Sequence, residues 1–295
     1  MDDKNSPRMC TYCGIEKAPW DYDHIPPQSI IGFDHDHKVP SCIKCNRDSS
    51  KDDEYFLFAV TMSKSCDEHP NISEVRQRVF RSLGKEKSQR YRNLILRNVY
   101  TASLPEDEVE FGNYIERIKS VVSRIVKGLY FLQSHGDRIP DTHQITVFIG
   151  NEYKAYGSKN TGKLQSLFKP LLGIDEQSVG EPGVFDYLYS KIDDEDPYET
   201  VWYLRFYGGY ELFAHSLPDG DPRALATHFP SIHNMHLLPR LATIFVPSCG
   251  ELSNWVARQL GERVEQSPNK SKGFPKGVIP ILHGQLGKYS KSDKQ

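Results

Sequence analysis

The sequence predicts an α+β protein: a small metal-organised module first, then a helical stretch, then a mixed α/β C-terminal region with an antiparallel hairpin. Three observations predict it. Two Cys-x-x-Cys pairs, Cys10-Thr11-Tyr12-Cys13 and Cys42-Ile43-Lys44-Cys45, bracket a stretch rich in Asp, His and Pro and poor in periodicity. Phe111, Tyr114, Ile115, Ile118, Val121, Val122, Ile125, Val126 and Leu129 recur at three- and four-residue intervals, the period of an amphipathic helix. Residues 201–207 and 210–214 are aromatic-rich runs flanking Gly208-Gly209, the pattern of two strands joined by a two-residue turn.

The elements follow in that order. Residues 1–60 form the metal module, 61–140 a helical region, 141–267 an α+β region and 268–295 a Lys-, Ser- and Gly-rich flexible tail. From about Asp52 the pattern turns helical, with Tyr55, Phe56, Phe58, Ala59 and Met62 on one apolar face. Ser49 or Ser50 is placed to cap it, and Asp52, Asp53 and Glu54 suit its positive end. Helical spacing continues through Val75, Val79, Phe80 and Leu83 to Leu94, Ile95 and Val99. The long helix is expected to start after Pro105, with Glu106, Asp107 and Glu108 in its first turn. Residues 145–149, 185–189 and 242–246 read as strands that could share a sheet with the hairpin.

Each Cys-x-x-Cys forms a tight knuckle that aims two thiolates at one ion, and two knuckles complete the tetrahedron that structural zinc prefers. The competing reading is two disulfides or a redox pair. No signal-peptide-like run opens the chain and no stretch of about 18 apolar residues occurs, so a cytoplasmic address and no membrane span are expected. A reducing compartment favours zinc over disulfides. Cys66 and Cys249 have no partner motif and read as ordinary thiols.

Inside the bracketed loop lies Asp23-His24-Ile25-Pro26-Pro27, then His37, and Asn46 directly follows the last cysteine. Imidazole titrates near neutral pH, so His24 suits a general base. Asp23 and Asn46 are hard oxygen donors suited to Mg²⁺ or Mn²⁺. Neighbours on a strand point to opposite sides, so a local bend is needed for Asp23 and His24 to serve one site.

Together Cys10-x2-Cys13, Asp23-His24-Ile25-x-Pro27, His37 and Cys42-x2-Cys45-Asn46 resemble the HNH nucleases, whose ββα-metal core is often framed by such cysteine pairs. The resemblance covers roughly residues 9–60. It implies Asp23 as a ligand of the catalytic cation, His24 as the general base, and Asn46 as the second ligand, from the start of a helix. His37 takes the middle position, where an Asn or His commonly orients the base; a His here is open to a structural or a ligand role. His35, Asp48 and Asp52 lie near enough to be further candidates for the metal shell. The resemblance also implies hydrolysis of DNA to 5′-phosphate and 3′-hydroxyl ends, with RNA left open, and a setting in bacterial defence against phage. The rival from another class is a zinc-ribbon module that binds nucleic acid or protein and cuts nothing.

The net charge of −2 decides nothing about partners, because local distribution matters more than the sum. Lys44, Arg47 and Lys51 surround the proposed metal site and are the best candidates to meet a phosphate backbone. The run Arg76, Arg78, Arg81, Lys85, Lys87, Arg90, Arg92 and Arg97 is open to two readings, a phosphate track or a solvated helical face. The acidic cluster Asp193, Asp194, Glu195 and Asp196 is expected to face away from nucleic acid. The aromatic hairpin reads as core before base-stacking surface. The C-terminal half carries no nameable chemistry and is left as scaffold, or as a site for a partner protein or an activating ligand.

Overall fold

The computed structural model describes residues 7–17, 19–96, 99–100, 109–111, 115–149, 169–171, 173–192, 195–221 and 244–246. The chain begins with a two-stranded ribbon, β1 (Arg8–Met9) and β2 (Glu16–Lys17), wrapped around the first cysteine pair. Strand β3 (Trp20–His24) leads through helix α1 (Gln28–Ile31) to β4 (Lys38–Cys42), which pairs antiparallel with β3. Helix α2 (Ile43–Asp48) follows at once, then α3 (Ser50–Thr61), so the order around the cysteines is strand, strand, helix.

The apolar face foreseen on α3 is buried, Tyr55, Phe56, Phe58, Ala59 and Met62 alike. Ser49 occupies the N-cap position but does not cap: its hydroxyl donates to the Asn46 carbonyl at 2.8 Å. The acidic residues of the first turn have other partners. Asp52 accepts from Arg117, and Asp53 is turned inward to Arg124.

Helices α4 (Ile72–Leu83) and α5 (Gln89–Leu96) carry the helical spacing onward. It ends sooner than expected, since Val99 lies in strand β5 (Val99–Tyr100). Phe111 belongs to strand β6 (Val109–Phe111) and not to the long helix, and the start expected at 106–108 lies outside the described residues. Helix α6 runs from Ile115 to Gln133. Its 19 residues span about 28 Å, and Ile118, Val121, Val122, Ile125, Val126 and Leu129 are all buried.

Strands β7 (His143–Ile149), β8 (Gln177–Ser178), β9 (Phe185–Lys191), β10 (Thr200–Phe206) and β11 (Tyr210–Pro218) form one antiparallel sheet in the order β7-β11-β10-β9-β8. The run at 242–246 does not join it. Strand β12 (Ile244–Val246) pairs with β6 in a separate three-stranded sheet, because alternation marks a strand without choosing the edge it joins. The hairpin turn has three residues, since Phe206 pairs with Tyr210. Tyr207 takes a left-handed φ of 47° there. Its amide donates to the Val184 carbonyl at 3.0 Å and its hydroxyl to the Ile30 carbonyl at 2.8 Å. Tertiary bonds therefore override the local glycine-pair preference.

Trp202, Leu204, Phe206, Tyr210 and Leu212 are fully buried, so the inward face of the hairpin is core. One apolar cluster runs from Cys10 through α3, α4 and α6 to Ala214 and joins the cysteine region to the sheet. Among the described residues no helix is long and apolar enough to cross a membrane.

Candidate functional site

The first knuckle turns at Gly14, whose φ of 65° suits glycine and lets its amide donate to the Cys10 carbonyl at 2.9 Å. The second sits where β4 becomes α2, with Cys42 as the N-cap whose sulfur accepts from the Cys45 amide at 3.4 Å. The Thr11 amide donates to the Pro40 carbonyl at 3.0 Å and ties one knuckle to the other. The sulfurs of Cys10, Cys13, Cys42 and Cys45 all lie within 4.8 Å of one another.

All four are free thiols, and Cys13 Sγ stands 3.9 Å from Cys42 Sγ. A zinc tetrathiolate with Zn–S bonds of about 2.3 Å has edges of about 3.8 Å, so the spacing fits one ion held by four sulfurs. A disulfide would need about 2 Å. Burial opposes a charge on Cys10, yet the backbone amides of Cys13, Cys42 and Tyr12 outweigh it and pull the thiol down to about 7. Burial, with the neighbouring sulfurs, pushes Cys45 far the other way. Four sulfurs so close shed their protons together only around a cation, and zinc is such an ion.

Beyond this centre β3 presents its last two residues to opposite sides. Asp23 is buried, and its Oδ2 accepts from the Tyr12 hydroxyl at 2.6 Å, with Arg124 Nε at 3.7 Å. Arg124 comes from α6 and donates through Nη2 to Asp53 at 2.5 Å. Burial works against the charge on this guanidinium, but Asp53 and Asp23 outweigh it and hold its basicity above the usual value. Burial in turn lifts Asp53 to about 6 despite Arg124. Burial, reinforced by Asp23, pushes the Tyr12 hydroxyl well up.

His24 faces outward, its side chain 22% exposed, with Nε2 2.7 Å from Asp34 Oδ1. The same Asp34 oxygen lies 3.2 Å from Lys38 Nζ. The His24 hydrogen bond, then Lys38, hold the Asp34 carboxyl below its usual range. Two more imidazoles stand beside it: His35 lies 5.1 Å from His24 and 6.0 Å from His37, ring centre to ring centre. His35 bonds the Pro26 carbonyl through Nε2, and burial draws its basicity down. The His37 carbonyl accepts from the Ile25 amide at 2.8 Å and closes the loop just after His24.

Asn46 sits half-buried on α2. Among the described residues no hydrogen bond or ion pair joins Asp23, His24 and Asn46 to one another. The foreseen bend is not made: Asp23 looks to α6, His24 to the loop.

Lys44, Arg47 and Lys51 are exposed, as are Arg78, Arg81, Lys85 and Arg90. Three members of the basic run have bonds to backbone carbonyls, Arg81 through its Nε to Gln77 at 3.4 Å within its own helix. Arg76 is buried and donates to the carbonyls of Thr61 and Ser63 and to Asp67; Arg92 donates to the Leu83 carbonyl. Lys87 lies in a short 3-10 turn at 86–88. In the acidic cluster Asp196 pairs with His143 at 2.9 Å, while Asp193 and Asp194 lie outside the described residues. Cys66 is buried with its thiol pushed up to about 12 by burial, and Cys249, Arg97 and the tail at 268–295 are outside the described residues.

A cleft of about 560 Å³ opens between the cysteines and α6. Lys44, Lys127, Asp48 and Asp52 are among the residues that line it. Three residues of the site escaped the sequence reading: Asp34, Tyr12 and Arg124. Only Arg124 left a signal, as a charge set among the apolar positions Val121, Val122, Ile125 and Val126. Comparison with protein-family models, with curated proteins and with solved structures finds no match to this chain.

Proposed function

We propose that the chain is an HNH-type endonuclease that hydrolyses phosphodiester bonds, DNA before RNA, with His24 as the general base and the four cysteines holding a structural zinc. The observation that carries this reading is the His24–Asp34 pair: a half-open imidazole at the end of a clamped hairpin, its Nε2 2.7 Å from a carboxylate. With Nε2 turned to Asp34, Nδ1 is the nitrogen left to take a proton from water, and the carboxylate steadies the imidazolium that forms. Lys38 stands beside the pair, and Lys44, Arg47 and Lys51 give α2 and α3 a basic rim suited to a phosphate backbone.

The HNH resemblance brings a catalytic Mg²⁺ or Mn²⁺ with it. Its donors would be the Asn46 carboxamide and Asp23, and the fit is incomplete: Asp23 is turned to α6, away from His24, with Oδ2 engaged by Tyr12 and Arg124 and only Oδ1 left to a cation. Held there, such a cation would supply polarisation of the phosphate and charge stabilisation for the leaving oxygen. The rival reading, a zinc-stapled binding module, is favoured by one observation, the commitment of Asp23 to Tyr12 and Arg124.

Supercoiled plasmid, linear duplex and single-stranded RNA, each offered with Mg²⁺, with Mn²⁺ and with chelator, separate the two. The nuclease reading expects metal-dependent nicking of plasmid to ends that DNA ligase reseals. Retention of plasmid on the zinc-loaded protein without any cutting in either metal favours the binding module and removes the nuclease.

A further inference from the structure

Helix α6 lies far along the chain from the hairpin, yet it touches the residues on both sides of His24. On one side Arg124 Nε is 3.7 Å from Asp23 Oδ2. On the other, Ile25 is fully buried, and its Cδ1 and Cγ1 lie 2.5 Å from where a Cβ on Gly128 would stand. Positions 124 and 128 are one helical turn apart and share a face. We propose that α6 is part of the catalytic module, with Arg124 and Gly128 as positioning residues that hold the backbone of His24 from both sides. This rests on the reading of His24 as general base.

The physical case has two halves. Strand β3 ends at His24, and the loop after it is pinned by the Ile25 amide to the carbonyl of His37, the residue just before β4. The strand end therefore needs anchors on its own side chains. Asp23 cannot be buried without neutralising partners, and it finds Tyr12 and Arg124. Arg124 is itself held by one hydrogen bond from Nη2 to Asp53, 71 residues away in sequence, so a planar guanidinium spans the two carboxylates. Its Nε is in ion-pair range of Asp23 but not hydrogen-bonded to it, a placement that a flexible ammonium does not reproduce. Ile25 then enters the slot that a glycine leaves on α6. A side chain at 128 would push the isoleucine, and His24 with it, away from the helix.

The test uses the full chain with its zinc. Gly128→Ala fills the slot with one methyl group, and Arg124→Lys keeps the charge while losing the planar group that spans Asp53 and Asp23. Both are expected to lower kcat about 10- to 100-fold with KM within about twofold, the size of effect that a misplacement of about 1 Å produces. Zinc content stays full, and the His24 imidazole resonances in selectively labelled protein move. Adding Ile25→Ala to Gly128→Ala removes the obstructing carbons and is expected to restore most of the rate. The proposal is overturned if both variants keep their zinc, their rate and the wild-type His24 resonances, or if Ile25→Ala restores neither rate nor resonances. Moved resonances in a protein whose wild type cuts nothing would retain the clamp and remove the nuclease; still resonances in an active enzyme would do the reverse.

Discussion

Arg124 has to serve two buried carboxylates with one charge, and the surplus falls on Asp53. Its carboxyl rises from the usual 3.8 to about 6, first because it is buried. Between those values the folded protein holds a proton that the unfolded chain has released. The associated stability is full below the lower value and is lost as pH rises through the upper one. The shift corresponds to something on the order of 3 kcal/mol across the whole window. Relative to Asp53→Asn, the wild type should therefore gain stability in urea unfolding when pH is lowered from about 7.5 to about 5. A difference that stays flat, or that grows toward alkaline pH, would contradict this account of the charge triad. No local pattern announces such a group: Asp53 reads as a helix-start acid, and only a partner 71 residues on turns it inward. Asp34 is legible still less, being one of several acids in a loop.

At the scale of elements the cysteine knuckles cross-brace a segment whose Ile25, Ile30 and Val39 also belong to the common apolar core. Cys10→Ser with Cys42→Ser takes one sulfur from each knuckle. Zinc measured by atomic absorption should fall from one ion per chain to near none, and the hairpin should lose its protected amides. Full zinc in the double variant would mean the ion sits elsewhere. This centre was readable because spacing alone defines it, as periodicity alone defines α6 and alternation β9, β10 and β11. The short strands were not. Val99 and Phe111 continue a helical rhythm and yet lie in β5 and β6, and the run around Ile244 chooses β6 over the larger sheet. Two- and three-residue strands take their identity from the edge beside them, which no window of sequence contains.

Over the whole molecule, one apolar cluster joins the cysteine-clamped hairpin to α6 and the five-stranded sheet. Tyr207 reaches back to Ile30, Phe206 packs on Phe56 at 5.1 Å between ring centres, and Arg124 reaches Asp23. The chemistry proposed for the first sixty residues thus depends on a scaffold whose own sequence names no function. That scaffold sets where His24 stands, and His24 carries the account. The direct test is metal-dependent plasmid cleavage by zinc-replete wild type and His24→Ala under identical conditions. General-base catalysis predicts a loss of about 10²- to 10⁴-fold in the variant, with zinc content and folding unchanged. Cleavage by His24→Ala at the wild-type rate would contradict it.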